Sequence, residues 1–432
     1  MRCLLFADGP DNYDKPSTFT NRGSNPVISD KLFDFIDSNI DKIRSIRLAM
    51  YLFNNAYLLD KLKGYAAKGI HIDIVSIPIG GYDASHPRTV VDYENGAELG
   101  SFTKQDLAED VYQKCAYLTA NYTNFLMYIF PHMYIRSERV KPFSRGNLPY
   151  SLHIKSIVIN YKDGSGACGL TSSNLAVRDD VRDNVMLLID DDVESVKIAN
   201  QFINDLIRNS IYLSVFDENS EYFKYEIVQS EARFKGARTL FIAPFYKESP
   251  HVARDFLIDL ISQAERRIYV CAQHVAAYNY YEDGKRVPGL MDAVIKAAER
   301  GVEVSILSQT FVDSRGYSHG QSRPANTRAF QDMMAKIERT PNIKYYSSRA
   351  VHSKFIVVDD KTVVTTCNLT PTEFIYLPDV NIERFDNIPD LKYRGVFSEV
   401  GQYIYLKSDE LANRLIGIFK NTVNRSSTYK HQ

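Results

Sequence analysis

At 432 residues the chain is long enough for two or three domains, and 44% hydrophobic against 24% charged residues is the make-up of a protein with full cores, which excludes a disordered chain. A net charge of −1 removes any whole-molecule argument for a nucleic-acid partner from charge. The five cysteines, Cys3, Cys115, Cys168, Cys271 and Cys367, are scattered, odd in number and without a Cys-x-x-Cys pair, so neither a disulfide framework nor a zinc module is expected and a reducing, cytoplasmic setting fits.

The opening run MRCLLFADGP reads as a first strand, since a signal peptide needs a longer apolar region. Residues 30–53 show helical spacing of apolar positions that feeds a β-rich run, and 58–78 read as helix, then glycine, then a buried strand. Gly69 sits where a helix end calls for positive φ. Residues 80–150 read as an insertion with a Tyr-rich helix around 106–130, and within it 136–145 carry four positive charges against one negative. The longest apolar runs, such as Phe125 to Phe130, are far short of the ~20 residues that cross a bilayer, so no integral membrane segment is expected. A strand at 151–160, a hairpin at 161–168, a turn at 170–176 and a strand and helix over 183–206 complete the first half. Residues 209–250 read as a linker of strands and turns, closed by Pro244 and Pro250.

The second half repeats the first. Residues 253–275 match 30–53, and 290–310 match 58–78 with Gly301 in place of Gly69. Residues 350–359 match 151–160, and 364–370 match 170–176. Residues 399–422 match 183–206, with 371–397 as a second insertion. Five matched segments in one order predict two α/β lobes, 1–208 and 251–432, each a mixed, mostly parallel sheet flanked by helices.

The residues that carry chemistry lie in the matched segments. His-x-Lys occurs twice, as His153 and Lys155 and as His352 and Lys354, and residues two apart on a strand share a face. The polar residue that follows at the same offset is Asn160 in one copy and Asp359 in the other. Next come Asn174 in LTSSNLA and Asn368 in VTTCNLT, preceded by Ser172 and Thr366, amide and hydroxyl donors suited to phosphate oxygens. Asp183 and Glu399 open the following matched strand, where a carboxylate can fix a catalytic imidazole.

This doubled pattern resembles the phospholipase D superfamily, from about residue 30 to about 423. Asn160 departs from the family's usual aspartate, and Thr171 and Thr365 replace the glycine of its Gly-Ser-x-Asn turn. The resemblance implies lobes related by a pseudo-two-fold axis and one site built from both motifs. It also implies His153 as nucleophile through a phosphohistidine, His352 as general acid and base, and no metal or cofactor. A nucleic-acid phosphodiesterase is the first expectation, because 136–145 and 313–349 are basic stretches beside each half-site. Phospholipid hydrolysis or phosphatidyl transfer is the alternative, since basic loops also attract anionic lipid. A catalytically inactive binding subunit is the third.

Overall fold

The computed structural model describes residues 1–8, 27–51, 53, 55–76, 104–130, 152–175, 182–215, 238–243, 245–246, 249–275, 280–282, 285–287, 289–309, 311–312, 318–319, 333–348, 351–374, 400–425 and 430–431. They fall into two compact units, one up to residue 215 and one from residue 238.

In the first unit the elements are β1 (Arg2–Asp8), α1 (Val27–Asp37), β2 (Ile43–Met50), α2 (Ala56–Ala67), β3 (His71–Ser76), α3 (Lys104–Asn121) and β4 (Phe125–Ile129), then β5 (Lys155–Tyr161), β6 (Gly166–Thr171), β7 (Asn184–Asp190), α4 (Val193–Arg208) and β8 (Ile211–Tyr212). The second unit has β9 (Thr239–Ile242), α5 (Ser249–Ser262), β10 (Arg267–Ala272), α6 (Leu290–Glu299) and β11 (Glu303–Ser308), then α7, described over 333–339, β12 (Ile343–Ser347), β13 (Phe355–Val358), β14 (Lys361–Thr365), β15 (Gly401–Lys407), α8 (Asp409–Arg425) and β16 (Lys430–His431). Each unit is built on an eight-stranded sheet, ordered β1-β7-β6-β5-β2-β3-β4-β8 in the first and β9-β15-β14-β13-β10-β11-β12-β16 in the second. Adding eight to each strand number of one sheet gives the other, so the duplication read from five segments extends to every strand of both sheets.

Both sheets are mixed and flanked by helices, but the expectation that they are mostly parallel does not hold. Among the described strands of the two sheets, only β2-β3-β4 and β10-β11-β12 pair in parallel. The reason lies in the connections. Parallel neighbours need a crossover, which α2 and α3 provide, whereas β5–β6 and β13–β14 are joined by short turns that force antiparallel pairing. At the helix ends Gly69 and Gly301 have φ of 84° and 98°, as their place after α2 and α6 demands.

One boundary reading is corrected. The Tyr-rich segment is a helix only to Asn121, and Phe125–Ile129 is the strand β4, paired in parallel with β3, so part of the supposed insertion belongs to the repeat. Its alternating burial is that of a strand, which an unbroken apolar run does not reveal. The segment 209–250, read as strands and turns, contributes β8 to the first sheet and β9 to the second, and Pro250 lies in the first turn of α5, where a missing N–H costs no hydrogen bond. Residues 375–399, most of the second insertion, lie outside the described residues, as do 136–145.

Each sheet has its own core. Ile46, Leu48, Ile72, Ile74, Ile157 and Ile159 pack with residues of α1 and α2 in the first, and Ile268, Val270, Val304, Ile306, Ile356 and Val358 pack with residues of α5 and α6 in the second.

Candidate active site

Strand β5 runs antiparallel to β2, with Lys155 opposite Met50, the last residue of β2. His153 and Lys155 therefore sit beyond the carboxyl ends of the parallel strands β2, β3 and β4, the end of an open α/β sheet where ligands bind. In the second unit Phe355 pairs with Cys271, so His352 and Lys354 occupy the same end of β10, β11 and β12. By alternation Lys155 shares a face with Ile157 and Ile159, and Lys354 with Ile356 and Val358. In both units a row of core side chains ends in an ammonium and then an imidazole.

Both lysines are fully buried at 0% exposure, while His153 and His352 retain 9% and 3%. Lys155 Nζ donates to the backbone carbonyl of His153 at 2.7 Å and Lys354 Nζ to that of His352 at 2.8 Å. The backbone bond ties each ammonium to its own histidine. Taking an ammonium out of water costs several kcal/mol unless it is compensated, and lysine is almost never wholly buried without a reason. Two such lysines at equivalent places are therefore a costly feature, of the kind a binding site for an anion would account for.

The asparagine turns are built alike. Asn174 and Asn368 are each 6% exposed. The threonines that stand where the family has glycine act on the turn itself: Thr171 Oγ1 accepts from Ser173 N at 3.1 Å and Thr365 Oγ1 from Cys367 N at 3.0 Å. A hydroxyl that accepts from the N–H two residues on shapes a tight turn. Ser172 and Thr366, read as donors for phosphate, tie the turn to the next strand. Ser172 Oγ accepts from Val185 N and donates to Asn184 Oδ1, both at 3.0 Å, so its one hydrogen is committed, and Thr366 Oγ1 accepts from Gln402 N at 3.1 Å. Asn368 Oδ1 accepts from His274 N at 3.2 Å, which fixes the amide's orientation and keeps its Nδ2 as the donor end. Gly401 is required beside this turn, because a Cβ there would collide with Cys367 Sγ.

Asp359 and Asn160 belong to the opposite end of their strands, roughly 16 Å of extended chain from the lysines. Asp359, in the left-handed region at φ 56°, accepts from the backbone N–H groups of Glu265, Arg266 and Arg267 at 3.0 Å each. Asn160 bonds Ser45 Oγ at 2.9 Å and Asn200 at 2.6 Å, which joins β5 to β2 and α4. Both hold the strand in place. Burial pushes the Asp359 carboxyl up, but the three N–H bonds and Arg266 outweigh it and hold the group below its usual value. A depressed folded value means that its stabilisation is full above the unfolded value, near 4, and is lost as pH falls through the folded one. Asp359→Ala is expected to lose about 2 kcal/mol at pH 7, with a deficit that shrinks below about pH 4; thermal unfolding of both proteins across that range checks this.

The proposed carboxylate pair is not a pair of equivalents. Thr171 pairs with Met186 and Thr365 with Tyr403, which aligns Asp183 with Val400 and not with Glu399. The match read from sequence is one residue out of step there. Asp183 is buried at 3% exposure, and Glu399 lies outside the described residues. One neighbour escaped the sequence reading: the Tyr51 ring meets the His153 imidazole edge-on, centroids 5.6 Å apart at 70°, and the Lys155 Nζ lies 5.4 Å from its centroid. Tyr51 follows β2 by one residue, and aligning it with Gln273 after β10 was the available signal.

The fold and these two residue sets define the class: a duplicated α/β protein with one histidine–lysine–asparagine set at the same sheet end of each repeat. Residues 257–388 match the family described as cardiolipin synthase, PLD-like domain. The phosphatidylserine synthase of Haemophilus influenzae Rd KW20 is 13% identical, with 93% of this chain and 85% of that chain covered at a TM-score of 0.54, which shows a common fold. The family match thus lies within the second repeat, and the fold shared with the synthase extends over nearly the whole chain. Nuc from Salmonella typhimurium, a phospholipase D family member, is 18% identical over 44% of this chain and 95% of its own, at a TM-score of 0.28. A polyphosphate kinase from Porphyromonas gingivalis is 11% identical over 97% of this chain, which spans 50% of the kinase's length, at a TM-score of 0.48. No curated protein matches the sequence.

Proposed function

We propose that the protein is a metal-independent phosphodiesterase in which His153, Lys155 and Asn174 act with His352, Lys354 and Asn368 on one phosphorus. The observation that carries this reading is a wholly buried lysine bonded to the backbone of a buried histidine, built twice at the carboxyl end of parallel strands. Two ammonium groups and two amides neutralise the non-bridging oxygens of a diester, whose negative charge otherwise repels a nucleophile. A neutral imidazole nitrogen of His153 attacks phosphorus and forms a P–N bond as the P–O bond to the leaving group breaks. His352, protonated, gives its proton to the departing oxygen, then takes one from water as that water attacks phosphorus and releases His153.

For the substrate we favour a nucleic acid. Residues 136–145 and 313–349 supply basic side chains on the chain just before each half-site, as a phosphate polymer requires. The second reading, phospholipid cleavage or head-group transfer, is favoured by the shared fold with a phosphatidylserine synthase over nearly the full chain. Among the described residues no helix is long and apolar enough to cross a membrane, so a lipid substrate would be met at a surface.

The test is a panel of labelled single- and double-stranded DNA and RNA, phospholipid vesicles and a chromogenic bis-ester, all with chelator present. Cleavage of nucleic acid that survives chelator and weakens steeply as salt is raised is expected. Intact nucleic acid together with released lipid head group would transfer the proposal to the second reading. No cleavage of any ester would leave the non-catalytic binding subunit.

A further inference from the structure

The two half-sites share a backbone and a motif but differ in the residue that follows β2 and β10. In the first unit Tyr51, one residue beyond β2, donates its N–H to the carbonyl of Ile154 at 2.9 Å, between His153 and Lys155. That bond fixes the tyrosine against the motif. Its ring then meets the His153 ring edge-on at 5.6 Å and stands 5.4 Å from the Lys155 ammonium. The equivalent position in the second unit, one residue beyond β10, is Gln273, whose Nε2 donates to Gln309 Oε1 at 3.0 Å and whose carbonyl takes Ser308 Oγ at 3.0 Å. An amide turned toward another amide offers neither a ring face nor a ring edge.

We propose that Tyr51 is a positioning residue for His153, holding its imidazole in one orientation for attack, at a position where the second repeat has Gln273. The inference rests on the phosphodiesterase reading above. Edge-to-face packing between rings 4.5–7 Å apart favours one relative orientation, and a ring near an ammonium favours the charged form staying where it is. Together they hold a nucleophile and its anion-binding partner as one rigid pair. A nucleophile must meet phosphorus in line, and a small loss of alignment lowers the rate without weakening substrate binding, because the oxygens are held by other groups.

The experiment compares wild type, Tyr51→Phe and Tyr51→Gln, the last installing the residue of the second unit. Tyr51→Gln is expected to lower kcat about 10- to 100-fold with KM within about threefold, and Tyr51→Phe, which keeps the ring, to stay within about twofold of wild type. In parallel, the His153 imidazole C–H resonances, assigned through His153→Asn, should move in Tyr51→Gln as the ring current is lost, while those of His352 stay in place. In Tyr51→Phe both should stay near wild type. Unchanged kcat in Tyr51→Gln, an unmoved His153 signal, or equal losses in both variants together with a lowered Tm would overturn the inference, the last outcome marking a merely structural tyrosine. A wild type inactive toward every ester overturns the phosphodiesterase reading and this inference with it. An active wild type with an unaffected Tyr51→Gln overturns this inference alone.

Discussion

His153→Asn and His352→Asn are each expected to lower the rate of diester cleavage by at least about 10³-fold, and the double variant to be no worse than either single one. Asparagine is near imidazole in size but offers neither a nucleophilic lone pair at neutral pH nor a proton that transfers. With His153 changed, no P–N bond forms. With His352 changed, the leaving oxygen departs as an unprotonated alkoxide. Groups that act as one unit lose nearly everything at the first removal, so non-additivity is the mark of a shared centre. Two independent half-sites would instead leave each single variant with about half the activity. Both histidines are buried in their units, so thermal unfolding of each variant is needed to separate lost chemistry from lost stability.

Lys155→Met and Lys354→Met are expected to lower turnover about 10²- to 10³-fold without lowering Tm. The side chains are similar in length, and methionine fills an irregular buried space well. Each substitution removes an ammonium whose burial is costly and also removes the donor, at 2.7 or 2.8 Å, of the backbone carbonyl of His153 or His352. The first effect offsets the second, so stability holds or rises. Activity falls because the developing charge on phosphorus oxygens loses a preorganised cation. A lysine kept for structure would behave in the opposite way, with Tm down and turnover little changed.

How much of this was legible beforehand depended on the range of each signal. The His-Lys pairs and the two asparagines follow from short, local spacing, and the two-sheet α/β class from the repeat of helix, glycine and strand. The mixed sheet was legible, but its antiparallel majority was not, because pairing sense depends on connections whose turns the apolar pattern does not encode. Phe125–Ile129 looked like the end of a helix because five apolar residues in a row carry no period. The bonds that tie Ser172 and Thr366 to the next strand were not legible for a different reason. A hydroxyl's bonds depend on which strand lies beside it, and Val185 and Gln402 come 13 and 36 residues later. The same holds for Asp183, whose register against Glu399 is set by β6–β7 and β14–β15 pairing and not by similarity of side chains. Tyr51 is 102 positions before His153 and has no charge or motif to draw notice; only the pairing of β2 with β5 puts it there.

The account depends on two imidazoles, one from each repeat, serving the same phosphorus. Rapid quench of the wild type with a slowly hydrolysed diester, under conditions that preserve P–N bonds, followed by mass spectrometry of intact chain and peptides, measures this most directly. One phosphoryl group per chain, on the peptide that contains His153, is the predicted result. Two groups per chain, one on each motif, or full turnover with no group on either histidine, would contradict it.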